Sequence, residues 1–176
     1  MRRVGPTVAA AALLISCLLV GVGGATGASG FASKRYGYEF VPGDGYYSRF
    51  ATTQWHGTFP FGDNAGVDVF VNWHDEKFIV AALKLPSAMS VSEWERKHVT
   101  TMQSYCRRAY AFRDSTLGGA PAREFMDVCP EYDVIVLTAI HAKRGYIFQF
   151  VSPTRHKPAA DRRAYETARH TFRFTG

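Results

Sequence analysis

Cysteine is scarce in this chain. Its 176 residues hold three, Cys17, Cys106 and Cys129, and neither of the last two sits in a recognisable nucleophile motif. Other signatures are missing too. There is no Gly-x-Ser-x-Gly elbow and no serine–lysine nucleophile motif. Gly118-Gly119 is followed by no Gly-Lys-Ser/Thr, so it is not a phosphate loop. His56, His74, His98, His141, His156 and His170 include no pair at the i, i+4 spacing that would place two metal ligands on one helix face. Asp63, Asn64, Asp68 and Asp75 carry oxygen ligands without EF-hand spacing. Repeats and low-complexity segments are absent. Long apolar runs are missing as well: the uncharged stretch from Val8 to Val22 is about 15 residues, against roughly 20 for a spanning helix.

What is present begins with a leader. Arg2 and Arg3 precede the apolar stretch, and Gly23-Gly24-Ala25-Thr26-Gly27-Ala28 follows it. A basic start, a short apolar core and a small-residue exit predict a secretory signal peptide over residues 1–28. The domain that remains, residues 31–176, is expected outside the cytoplasm, secreted or at the cell envelope. Leu14-Ile15-Ser16-Cys17 resembles a bacterial lipoprotein box, which would make Cys17 a lipidated N-terminus. Against that stands Leu18-Leu19-Val20, which continues the apolar core. Once Cys17 leaves with the leader, an even pair remains, and export favours a Cys106–Cys129 disulfide over two separate buried thiols.

Charge is unevenly spread. Basic residues number 21 and acidic residues 15. From Lys143 onward there are Lys143, Arg144, Arg155, Lys157, Arg162, Arg163, Arg169 and Arg173, against only Asp161 and Glu166. The first seven of these form a candidate surface for an anionic partner, the membrane surface included. A solvated helix face is the simpler reading. Nucleic acid is not expected of an exported chain without a binding motif.

Hydrophobic content of 47% and aromatic content of 14% require a folded core. Gly37-Tyr38-Glu39-Phe40-Val41 and Tyr46-Tyr47-Ser48-Arg49-Phe50, around Pro42-Gly43-Asp44-Gly45, read as a hairpin or a tight corner. Thr53 to Phe61 carries Trp55, and Gly62 to Gly66 breaks it. Val67, Val69, Val71 and Trp73 alternate onto one strand face, and Lys77 to Leu85 returns. Residues 90–105 predict a helix, with Ser90 and Glu93 as a capping box. Val91, Trp94, His98, Met102 and Tyr105 form its core stripe, and Glu95, Arg96, Lys97 and Gln103 face water. Four strands follow, over 109–117, 122–129, 132–141 and 146–151. A second helix from Ala159 puts Ala160, Ala164, Tyr165, Ala168 and Phe172 on one face. This order predicts an α+β fold, an antiparallel β-sheet with two helices packed on it.

Three local features resemble the PsbP-like superfamily. They are the opening Gly37-Tyr38-Glu39-Phe40-Val41-Pro42-Gly43, the step Leu117-Gly118-Gly119-Ala120-Pro121-Ala122, and the strand Tyr146-Ile147-Phe148-Gln149-Phe150 with a closing helix that ends in Phe172 and Phe174. That superfamily includes the photosystem oxygen-evolving subunit P and bacterial envelope proteins and lipoproteins. The resemblance implies a single scaffold domain with a binding or assembly role toward an envelope protein or ligand. It implies no cofactor and carries over no catalytic residues. Two other possibilities remain at this stage: a small secreted hydrolase, for which Glu124 and Asp127 are the acids on offer, and a membrane-surface binder using the basic segment. Tyr36, Tyr38, Tyr46, Tyr47 and Trp55 form either a partner-facing aromatic surface or strand packing.

Overall fold

The computed structural model describes residues 30–50, 55, 67–98, 106–154 and 158–176. The leader with Cys17, the glycine break at 62–66, Met102, Tyr105, Arg155, Lys157, His56 and His156 lie outside the described residues.

Among the described residues there are ten strands and two helices. They are β1 (Phe31–Ser33), β2 (Tyr38–Phe40), β3 (Tyr47–Phe50), β4 (Asp68–Val71), β5 (Lys77–Lys84), α1 (Val91–His98), β6 (Arg107–Leu117), β7 (Ala120–Val128), β8 (Tyr132–His141), β9 (Arg144–Pro153), α2 (Pro158–Thr171) and β10 (Arg173–Phe174). Strand β1 and the closing β10 are not among the expected elements; between them the order is the predicted one, strands, a helix, four strands and a helix. Seven strands make one antiparallel sheet in the order β3-β4-β5-β9-β8-β7-β6. A three-stranded sheet, β1-β2-β10, packs separately.

Both faces of the large sheet are covered, and the central strands show it in their alternation. Along β5, Phe78, Val80 and Ala82 enter one core, while Ile79 and Ala81 enter the other. Tyr146, Phe148 and Phe150 of β9 join the first, and Ile147 the second. The first core packs under α2 and the small sheet through Tyr165, Ala168, Phe172, Tyr38 and Phe40. Phe172 stacks on Tyr38 with ring centroids 5.2 Å apart, and Phe40 meets Phe70, Phe78 and Phe148 edge to face. Such pairs add about 0.5–1.5 kcal/mol each beyond their burial. The second core packs under α1 around Trp94, Trp55 and Phe125.

Several expectations are corrected. Of the hairpin and the tight corner, the corner forms: strands β2 and β3 do not pair with each other. Pro42-Gly43-Asp44-Gly45 is a corner that carries the chain from the small sheet to the edge of the large one. Trp73 does not continue the face of Val67, Val69 and Val71. The strand ends at Val71, and Asn72 turns the chain by accepting the amides of His74 (2.9 Å) and Glu76 (3.0 Å), which leaves Trp73 86% exposed. Tyr36, Tyr38 and Trp55 are buried, so the early aromatics are mainly core, and only Tyr47 among them is largely exposed. Glu95, expected in water, is buried and pairs with Arg123 Nε at 3.1 Å. It lies on the face of α1 that meets β7. In α1, the Ser90 hydroxyl accepts the Glu93 amide at 3.1 Å, the first half of the predicted box. Residues 99–105 lie outside the description.

Two hairpin turns use left-handed backbone in pairs, as two-residue turns matched to strand twist require. Gly118 and Gly119 meet that need at φ 56° and 82°. The β8–β9 turn meets it with Ala142 and Lys143, at φ 46° and 60°. Cys106 and Cys129 are joined, tying the start of β6 to the end of β7 across 23 residues of sequence.

Gly145 answers a different demand. A Cβ built there would lie 2.5 Å from the Trp94 ring, whose Nε1 donates to the Tyr146 carbonyl at 3.2 Å. Any side chain at 145 must displace the anchor of α1. Gly145→Ala is expected to cost about 1–3 kcal/mol, the range for overpacked cores, read as a lower midpoint in urea. An unchanged midpoint would contradict this close approach.

Candidate functional site

The cavity beneath α2 is built by neighbouring strands and one helix face. Tyr110 and Arg113 of β6, Glu124 and Met126 of β7, Ile135 of β8 and Phe150 of β9 form its floor. The register aligns them: Arg113 faces Glu124, Tyr110 faces Met126, Met126 faces Ile135, and Ile135 faces Phe150. Arg162, Tyr165 and Glu166 roof it from α2, at the three- and four-residue spacing of one helix face. Its volume is about 140 Å³, close to an engineered apolar cavity that accepts one benzene ring.

Glu124 is the chemical centre of this cavity. It is 1% exposed, so its charge needs internal partners. Tyr165 donates to Oε2 at 2.7 Å, and Tyr110 donates to Oε1 at 2.8 Å. Arg113 donates to Oε1 through Nε at 3.1 Å and forms an ion pair through its terminal nitrogen. Burial alone would raise the Glu124 pKa. The hydrogen bonds from Tyr165, Arg113 and Tyr110 together outweigh burial and hold it below its ordinary value. Burial, reinforced by the same carboxylate, pushes both tyrosine hydroxyls well up. The cluster is therefore a fixed anion surrounded by donors that keep their protons. It anchors α2 to β6 and β7, and it holds no group poised to exchange a proton near neutrality.

Asp127, the other acid offered by the sequence, is not brought to Glu124. The two stand three residues apart on β7 and so project to opposite faces. Asp127 pairs with Arg108, whose guanidinium lies over Phe125 at 4.1 Å. Asp68, considered above as an oxygen ligand, is buried and accepts the Ser33 hydroxyl at 2.6 Å and the Tyr38 hydroxyl at 2.7 Å. Among the described residues, no group of three or more His, Cys, Asp or Glu is arranged to hold a metal ion. No helix among them is long and apolar enough to cross a membrane.

The basic segment is divided by the fold. Lys143 and Arg144 lie at the turn end of the β8–β9 hairpin, where His141 faces Arg144. Arg162 lies toward the other end, sharing its cavity with Asp133 and Ser152. Ten-residue strands at roughly 3.3 Å per residue put these ends about 30 Å apart. Arg163 is exposed on α2, and Arg169 bonds Glu166 at 3.3 Å. The role of Glu124 was not legible in the sequence. Its one signal is an acid at a position where β7 alternates inward, between Ala122 and Met126.

The sign of the Glu124 shift fixes a pH prediction. A depressed carboxyl pKa adds stability that is fully present above the unfolded value, about 4.3. That stability is lost as pH falls through the lower folded value. Glu124→Gln is expected to lower stability at pH 7 by about 1.5–3 kcal/mol and to lose less than the parent between about pH 5 and pH 3. Parallel acid limbs in denaturant titrations would contradict the assignment.

With this geometry in place, the chain can be compared with known proteins. No protein-family model and no curated protein sequence matches it. Solved structures do. The solution structure of the cyanobacterial PsbP protein CyanoP from Synechocystis sp. PCC 6803 is similar at a TM-score of 0.61 and 14% identity, over 89% of this chain and 98% of that one. The crystal structure of LpqN from Mycobacterium tuberculosis, described as involved in cell envelope biogenesis, is similar at a TM-score of 0.51 and 10% identity, over 88% of each chain. Two helices on antiparallel sheets, covering nearly the whole domain in the same arrangement, give this chain a PsbP-like α+β fold.

Proposed function

We propose that this chain is an exported, non-catalytic binding domain that acts at the cell envelope or outside the cell. The observation that carries the reading is the state of the cavity under α2. Its buried carboxylate is engaged by two tyrosines and an arginine, so the cavity offers shape and fixed charge rather than acid–base chemistry. A wall of Met126, Ile135 and Phe150 beside charged rim residues suits a small apolar group, from a ligand or a partner's side chain.

Three further features support the location. The basic, apolar and small-residue segments at the N-terminus have the form of an export leader. A disulfide such as Cys106–Cys129 is favoured by an oxidising compartment. The fold is similar to that of LpqN, which is tied by its description to cell envelope biogenesis.

Intact-mass measurement on protein recovered from its own host tests this directly. The expected species lacks the leader and gains the mass of two hydrogens on reduction. A chain of full length in the cytosol, with both thiols free, would contradict the reading.

A further inference from the structure

Five cations from three separate parts of the sequence meet at one end of the domain. Lys34 and Arg35 sit in the β1–β2 turn, Lys84 ends β5, Lys143 lies in the β8–β9 turn and Arg144 begins β9. Lys84 and Arg144 are direct cross-strand partners. Leu85 donates its amide to the Lys143 carbonyl at 2.8 Å. Arg35 and Arg144 both act electrostatically on Tyr36. The Tyr146 hydroxyl donates to the Tyr36 carbonyl at 2.7 Å, which fastens the β1–β2 turn to β9. This end is thus assembled by the fold and held in register.

Four of the five cations are exposed and Arg144 is half-buried. None of these five takes part in the ion pairs made by Arg108, Arg113, Arg123 and Arg169. Asp68, which also acts electrostatically on Tyr36, is buried and bound to Ser33 and Tyr38. His141, at the edge, stacks on Phe174, and its Nε2 lies 3.0 Å from the Gly176 oxygen. Lys143 also holds a left-handed backbone, at φ 60°, in a turn position that asparagine or glycine fills at lower cost.

We infer that this end, Lys34, Arg35, Lys84, Lys143 and Arg144, is the face by which the domain rests on anionic lipid headgroups of the envelope membrane. The inference rests on the envelope reading above and gives it a surface. Two observations favour a bilayer over a protein. The cations stand in turns and at strand ends, and none of them lines the cavity under α2, the pocket along β1 and β2 or the pocket beside Asp75 and Lys77. Separate charges outside these pockets match many phosphates on a plane, not one enclosed anion. The large exposed aromatics, Tyr47 and Trp73, lie elsewhere, so this end lacks the aromatic anchors on which protein interfaces rely. Attraction to anionic lipid needs only the charges, at about fivefold in affinity per cation near the surface.

Flotation of the host-processed chain with vesicles provides the test. The readout is partitioning onto phosphatidylcholine vesicles carrying about one-third phosphatidylglycerol, relative to pure phosphatidylcholine. This ratio cancels any lipid anchor, which would serve both vesicles alike. The account expects a strong anionic preference that fades as salt rises from about 0.05 to 0.5 M. The triple variant Lys34→Gln, Lys84→Gln, Lys143→Gln should lose that preference by about a hundredfold, with an unchanged melting midpoint. Arg162→Gln with Arg163→Gln on α2 should retain it. A ratio near one for the parent, an unaffected triple variant, or equal loss in the α2 variant overturns the inference. An exported, oxidised chain with no anionic preference leaves the envelope reading standing and removes only this surface. A full-length cytosolic chain removes the reading itself.

Discussion

A buried negative charge organises the region between the second helix and the sheet. Glu124 is almost wholly buried, on an inward position of β7. A carboxylate there persists only if donors converge on it. Three do so from two elements: Tyr110 and Arg113 from the edge strand β6, and Tyr165 from α2. This fixes the helix over the sheet at one azimuth, since Tyr165 must present its hydroxyl while Ala168 and Phe172 enter the core. Between the helix and the floor, the volume the fixed groups leave unfilled is the cavity.

The opposite face has its own buried carboxylate, Asp127, paired with Arg108 beside Phe125. There α1 is held by the Trp94 ring over Gly145, and at its margin by Arg123, which reaches Glu95 and the Ser92 hydroxyl. The β8–β9 hairpin links the two faces. Its alternating residues feed both cores, and its turn carries Lys143 and Arg144 to the basic end. One pair of strands thus positions the floor of the cavity and the proposed membrane face at opposite ends.

The strands that alternate, β4 to β9, and the helices with clear stripes were legible in the sequence, because periodicity reports burial directly. The α+β class followed from their order. Elements decided by long-range pairing were not legible. Nothing local to Tyr38 and Tyr47 says that their strands enter different sheets, and Val67 to Trp73 alternates past the point where Asn72 turns the chain. Glu95 reads as a solvent residue by helical phase, yet Arg123, 28 positions later, gives it a buried partner. The charged surfaces were the least legible. Counting cations along the chain grouped Lys143 and Arg144 with the α2 arginines, whereas the fold sets Arg144 opposite Lys84 and the Lys143 carbonyl against the Leu85 amide.

The central claim is that Glu124 serves as a structural anion whose partners shape a binding cavity. A double-mutant cycle between Tyr165→Phe and Glu124→Leu tests it most directly, because leucine keeps the volume and removes the charge. If the pair ties helix to sheet, the two substitutions will be coupled by about 1.5–3 kcal/mol in equilibrium unfolding. Additivity within about 0.3 kcal/mol would contradict it.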